Sequence, residues 1–150
     1  MELVQEFTLT ATLKPSVPVG DGPFGRRRVR EVEGGEVHGE RIAGKVLSGG
    51  GDWLLVGPDG WGRLDVRLQI ETDDGAFLFV QYFGVIEYND AAHAANAGER
   101  SSDYGDHYFR TAPRLETGDE RYAWVNHTLF VGEGRLHPGP IVEYRVHRVT

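Results

Sequence analysis

Between Arg63 and Ile86 the chain alternates with a period of two: Leu64, Val66, Leu68 and Ile70 take turns with Arg63, Asp65, Arg67, Gln69 and Glu71. That period is the spacing of side chains on the two faces of a β-strand, so the stretch predicts a hairpin whose first strand buries one side. Its turn is Asp74-Gly75. Asp-Gly supplies the positive φ angles of a two-residue type I′ loop, which sets Asp73 opposite Ala76 and Arg67 opposite Tyr82. One face then carries Asp65, Arg67, Gln69 and Tyr82 together. The return strand from Ala76 is apolar on both faces until Gln81, as in a strand buried on both sides or lining a cavity.

The rest of the chain repeats this grammar. Phe7, Leu9, Ala11 and Leu13 alternate with threonines until Pro15 and Pro18 stop the run. Residues 24 to 47 read as two strands split at Gly34-Gly35, and Gly49 to Gly51 lead into a strand at Asp52 to Val56. Further strands are expected near His107 to Ala112, Tyr122 to Val131 and Ile141 to Val149. A single short helix fits, with Asn89 or Asp90 as N-cap, Ala91 to Ala97 as body and Gly98 as stop. Two turns are marginal alone, so the helix should pack as a lid or plug.

About eight to ten antiparallel strands with one short helix predict an all-β fold, a closed or nearly closed antiparallel β-barrel, because closure removes the exposed edges of so many strands. A length of 150 residues is one domain's worth, so residues 1–150 are expected to form a single β-barrel domain. A barrel of this size either fills its interior with side chains or holds one small ligand.

Composition narrows the chemistry. The chain has no cysteine, which excludes thiolate catalysis, disulfides and cysteine-bound zinc, and points to a reducing, cytoplasmic setting. A net charge of −7 argues against nucleic acid as a partner, and no apolar run is long enough for a bilayer. The histidines at 38, 93, 107, 127, 137 and 147 form no pair with ligand spacing, so neither a metal nor another cofactor is expected. Serines 16, 48, 101 and 102 fall in loops and none sits in a G-x-S-x-G elbow. The basic run Arg26-Arg27-Arg28-Val29-Arg30 is expected to form cross-strand ion pairs with nearby glutamates.

The blocks DWLLV, LDVRLQIETDDGAFLFVQYFGV, YFRTAPRLETGD and RYAWVNHTLFVGEG occur in that order over nearly the whole chain. In this the chain resembles the uncharacterised protein family UPF0311, also called DUF3237. The resemblance implies a compact β-barrel found in bacterial and fungal proteins, some encoded beside genes for small-molecule metabolism. It carries over no catalytic residue.

The candidate site is therefore drawn from the residues themselves. If the polar hairpin face turns inward, Asp65 and Tyr82 are the candidate proton-moving groups. Arg67, Tyr108, Arg110, Trp124 and Asn126 are the candidate binding residues, with each pair two apart on a strand sharing a face. Such a barrel would bind a small organic acid or an aromatic, polyketide-like molecule, as a cofactor-independent isomerase, cyclase, lyase or hydrolase. The alternatives are a barrel that holds its ligand without turnover, and a solid barrel whose exposed strands self-associate as a homo-oligomer. The competing geometry has the charged face in water and aliphatic side chains filling the lumen.

Overall fold

A computed structural model describes every residue from Met1 to Thr150. Ten strands form one antiparallel sheet: β1 (Leu3–Leu13), β2 (Val17–Gly22), β3 (Gly25–Gly39), β4 (Gly44–Val46), β5 (Gly51–Val56), β6 (Trp61–Thr72), β7 (Phe77–Glu87), β8 (Phe109–Glu116), β9 (Phe130–His137) and β10 (Ile141–Val149). Helix α1 (Asp90–Asn96) lies between β7 and β8, and a 3-10 helix (Glu120–His127) between β8 and β9.

The sheet closes on itself as β1-β10-β9-β8-β7-β6, then through β4 and β5 to β3, which returns to β1. β4 and β5 occupy successive lengths of one gap between β3 and β6, so the closed antiparallel barrel has eight staves. Alternate residues point inward, and Leu64, Val66, Leu68 and Ile70 of β6 join Leu78, Val80, Tyr82 and Ile86 of β7 in the buried core.

Of two breaks expected from the sequence, the one at Pro15 is present, with β1 ending at Leu13, and the one at Gly34-Gly35 is absent. After Pro15 the chain resumes as β2 along the same side of β3, with Leu13 opposite Val32 and Val17 opposite Val29. Pro18 is tolerated because β2 has no partner on its other edge, and the ladder shifts between Pro18 and Gly20. β3 continues through Gly34-Gly35 because a Cβ on Gly35 would overlap the Thr10 carbonyl oxygen; glycine permits a close approach there rather than ending the strand.

The central hairpin is real but its register differs by one residue. Glu71 faces Phe77, Arg67 faces Gln81, and Tyr82 faces Val66. The loop has three residues, Asp73-Asp74-Gly75: the Gly75 N–H donates to the Thr72 carbonyl (2.9 Å), the Thr72 N–H to the Ala76 carbonyl (2.8 Å), and only Gly75 takes a positive φ, +89°. This is a type I turn closed by a left-handed glycine. Thr72 holds it, its Oγ1 accepting from the Ala76 N–H (2.8 Å) and donating to Asp74 Oδ1 (2.6 Å).

The run from Tyr122 does not extend into a strand until Phe130. The Asp119 carboxylate caps the 3-10 helix by accepting from the Arg121 N–H (3.0 Å) and is gripped by the Arg121 guanidinium (2.8 Å). The glycines after Val131 belong to β9: Gly134 leaves space for the Phe109 ring, which a Cβ would meet at 2.5 Å.

Helix α1 forms as read, with Asn89 Oδ1 accepting from the Ala92 N–H (3.2 Å) and Gly98 at φ +78°. Ala92, Ala94 and Ala95 are buried against the barrel. No helix is long and apolar enough to cross a membrane.

Candidate functional site

The lumen is not completely filled. A cavity of about 50 Å³, room for roughly four waters, is walled by Leu54, Leu64, Val66, Ile86 and Phe109 together with Asp52, Tyr82, Tyr144 and Arg30. It shares Arg28, Tyr88 and Asn96 with a wider cleft of about 690 Å³, bounded by the β2–β3 turn, the β5–β6 turn and α1. The short helix thus sits at the mouth of the barrel.

Register explains why polar groups gather inside. Arg30 faces Asp52, Asp52 faces Val66, and Val66 faces Tyr82 across three adjacent ladders. Directly opposed residues share a sheet face, so Arg30, Asp52 and Tyr82 look into one lumen. Tyr144 arrives from β10, and its ring meets Tyr82 edge-on at 5.5 Å and Phe109 at 5.2 Å.

Asp52 is held by a gap in the sheet. The β5–β6 ladder pairs Asp52 with Val66 and resumes only at Leu55 with Arg63. Within the gap the Asp65 N–H donates to Asp52 Oδ1 at 3.2 Å, while the Trp53 carbonyl accepts from the Arg27 guanidinium at 2.8 Å.

Burial pushes the Asp52 carboxyl from its ordinary 3.8 up to about 7. The Asp65 N–H opposes this, the Asp65 charge adds to it, and Arg30 opposes it. Burial drives the phenols of Tyr82 and Tyr144 far above their usual 10, and that of Tyr88 to about 12. The lumen therefore offers one carboxyl that changes charge near neutrality beside hydroxyls that stay protonated. That combination suits proton transfer with hydrogen-bond support for a developing oxyanion.

At the rim, Ser101 Oγ lies 2.7 Å from His137 Nδ1, and His137 Nε2 lies 2.5 Å from Glu143 Oε2. Arg135 grips the same carboxylate at 2.9 and 3.1 Å. This chain of contacts ties the loop after α1 to the β9–β10 hairpin. The buried His107 stacks on Phe109 at 5.8 Å and its Nε2 meets Ser102 Oγ at 2.9 Å. No group of three or more histidines, aspartates or glutamates converges as a metal would require.

The structure redistributes the residues expected from the sequence. Tyr82 is in the cavity wall, 5% exposed. Asp65 and Arg67 alternate with the buried Leu64, Val66 and Leu68 and so are on the outer face of β6, with Arg67 exposed, while the three-residue turn moves Tyr82 to the other side of the hairpin from them. Tyr108 is exposed and packs on Trp61 at 5.8 Å. Arg110 is on the outer face of β8, paired with Glu133 at 3.3 Å. Trp124 and Asn126 stand on the 3-10 helix rather than a strand: the Arg41 guanidinium covers Trp124 at 3.7 Å, and Asn126 bonds the backbone of Thr117 at 2.9 Å in both directions.

Asp52, Arg30, Tyr144 and Tyr88 were missed. Alternation alone puts Asp52 on the same face as Leu54 and Val56, and Arg28 and Arg30 on the same face as Val32. A carboxylate among buried strand positions was the available signal.

A family model described as "Protein of unknown function (DUF3237)" matches residues 1–149. A UPF0311 protein of Rhodopseudomonas palustris (strain TIE-1) is 37% identical over 99% of this chain and 97% of its own length. The crystal structure of a conserved protein of unknown function from Rhodopseudomonas palustris superposes with a TM-score of 0.90 at 36% identity, covering 99% of this chain and 97% of that one. More distantly, the crystal structure of an enzyme from Penicillium herquei shares the fold, with a TM-score of 0.72 and 21% identity over 99% of this chain and 94% of that one. A Penicillium roqueforti protein named "PR-toxin biosynthesis cluster protein 7" is 29% identical over 69% of this chain and 60% of its own length. With the family model spanning essentially all of the barrel, the chain belongs to the DUF3237 family, the UPF0311 proteins.

Proposed function

We propose that this barrel binds a small organic molecule in its lumen and moves a proton on it without a cofactor, with Asp52 as acid and base. The observation that carries the reading is the Asp52 carboxyl, 8% exposed in the cavity wall and raised to about 7, so that both its forms are populated near neutral pH. In the forward step the ionised Asp52 takes a proton from carbon next to a carbonyl, and the C–H electron pair moves into an enolate. A hydrogen bond from Tyr82 or Tyr144 stabilises the enolate oxygen. Return of the proton to a different atom completes an isomerisation. The names of two fungal relatives, one an enzyme and one a biosynthesis-cluster protein, support a metabolic role.

An enolisable ketone tests this without knowledge of the natural substrate. Exchange of deuterium from solvent into 2-tetralone, followed by NMR, should be faster with the protein than with buffer and should rise with pH through a midpoint near 7. Asp52→Asn should lower the rate by roughly 10²–10⁴-fold. Exchange no faster than buffer, or equally fast in the variant, would leave a barrel that holds its ligand without turnover.

A further inference from the structure

Most arginines of this chain meet a carboxylate. Arg41 and Arg148 grip Glu6, Arg63 grips Asp59, Arg121 grips Asp119, Arg135 grips Glu143, and Arg110 and Arg145 share Glu133. Within the basic run of β3, Arg26 pairs with Asp21 at 3.1 Å, and Arg27 donates to the Trp53 carbonyl. Arg28 and Arg30 do neither. They are two apart on the inward face with Val32 and line the cavity, yet no carboxylate comes within ion-pairing distance of either. Arg28 also borders the cleft at the mouth, placing it above Arg30 on the way in.

Two guanidinium groups side by side on one strand repel each other, and burial disfavours the charge on Arg30. The nearest acidic group in the lumen, Asp52, stands opposite Arg30, but with its carboxyl raised to about 7 it is only partly charged at neutrality, so it offsets Arg30 in part and makes no ion pair with Arg28. A chain with a net charge of −7 therefore keeps two guanidinium groups without an ion-pair partner at the opening of its lumen. A planar guanidinium fork matches a carboxylate, and the wall beyond the arginines, formed by Leu54, Leu64, Ile86 and Phe109, matches hydrocarbon.

We propose that Arg28 and Arg30 form a clamp at the barrel mouth for the carboxylate of an apolar organic acid, whose hydrocarbon body reaches down toward Asp52 and Tyr82. This rests on the lumen being the ligand chamber and adds the class of ligand. The clamp leaves the anionic group near solvent and presents the ligand's interior end to the proton-moving carboxyl.

The test compares 2-naphthoate with its neutral isostere 2-naphthamide by NMR titration of the whole protein, following the Arg Nε–H signals. The acid should bind at least tenfold more tightly than the amide. Arg28→Gln and Arg30→Gln should each weaken the acid about tenfold and leave the amide unchanged, whereas Arg27→Gln, on the outer face, should alter neither. Thermal unfolding of each variant identifies any that misfolds, and the acid–amide comparison on the unaltered protein needs no variant. Equal binding of acid and amide, or binding of neither, overturns the clamp, as does displacement of the acid by an equal concentration of inorganic phosphate. If 2-tetralone exchange persists in any of those cases, the chamber stands and only the clamp falls; if neither acid nor amide binds and exchange fails as well, the chamber falls with it.

Discussion

Replacing Asp52 by asparagine should stabilise the protein progressively as pH rises, the gain over the parent growing by about 4 kcal/mol between roughly pH 3.5 and pH 8. The folded carboxyl binds its proton with a pKa of about 7, against 3.8 for an ordinary aspartate. Below 3.8 both the folded and unfolded chains hold that proton, and the contribution is fully present. Between 3.8 and 7 only the unfolded chain releases it, so stability falls by about 1.4 kcal/mol per pH unit. Above 7 the charged carboxylate is buried and the contribution is lost. Asparagine keeps an oxygen for the Asp65 N–H but carries no charge. Urea unfolding of both proteins across this range measures the difference; a gap independent of pH would contradict it. The same substitution should remove 2-tetralone exchange, making Asp52 a site where stability is given up for chemistry.

Phe109→Ala should cost about 4 kcal/mol of unfolding free energy. The ring is 1% exposed and stands against Tyr144 at 5.2 Å, His107 at 5.8 Å and the bare backbone of Gly134. Truncation removes the transfer energy of an aromatic ring and leaves a void between β8 and β9 that strand backbones cannot collapse into. Gly134→Ala pushes a methyl group into the ring and should cost about 2 kcal/mol by itself. In the double variant the methyl group occupies part of the space the ring has left, so the two costs should sum to more than the combined loss. Denaturant unfolding of the three variants gives the coupling directly; strict additivity would mean that ring and glycine do not share one space.

The barrel was legible because closing strands impose alternation, which is written in single residues: Leu64 to Ile70, Phe7 to Leu13 and the Asn89-capped helix read correctly. The hairpin register was not. Asp-Gly is compatible with both a two-residue and a three-residue loop, and the choice is made by Thr72, which bonds Asp74 and Ala76, together with the Tyr122 hydroxyl, which reaches Asp74 from a distant part of the chain. One residue of slip set Tyr82 opposite Val66 on the inward face and parted it from Asp65 and Arg67 on the outer one. Trp124 and Asn126 read as strand because aromatic and branched residues favour β structure, yet the Asp119–Arg121 cap selects a 3-10 helix. Arg28 and Arg30 were expected to form cross-strand ion pairs with glutamates, and form none, because an arginine turned toward a lumen and one turned toward water follow the same alternation. The face is fixed only by Val32 and by the neighbours each strand acquires on closure.

The last seam of the barrel joins Leu3 to Val149, and Glu2 and Thr150 bond each other's backbone. Contacts so distant in the chain form slowly, so the cylinder should zip shut late in refolding. Until then the hollow is open to water and Asp52 titrates like any solvated aspartate. Zipping at about pH 5.5 therefore has to draw a proton out of solution as that carboxyl is sealed in. In stopped-flow refolding with a weakly buffered indicator dye, the proton uptake by which the parent exceeds Asp52→Asn, a difference that cancels the opposing release from the buried His107, should coincide with the final fluorescence phase, which makes one buried carboxyl a clock for closure of the whole wall.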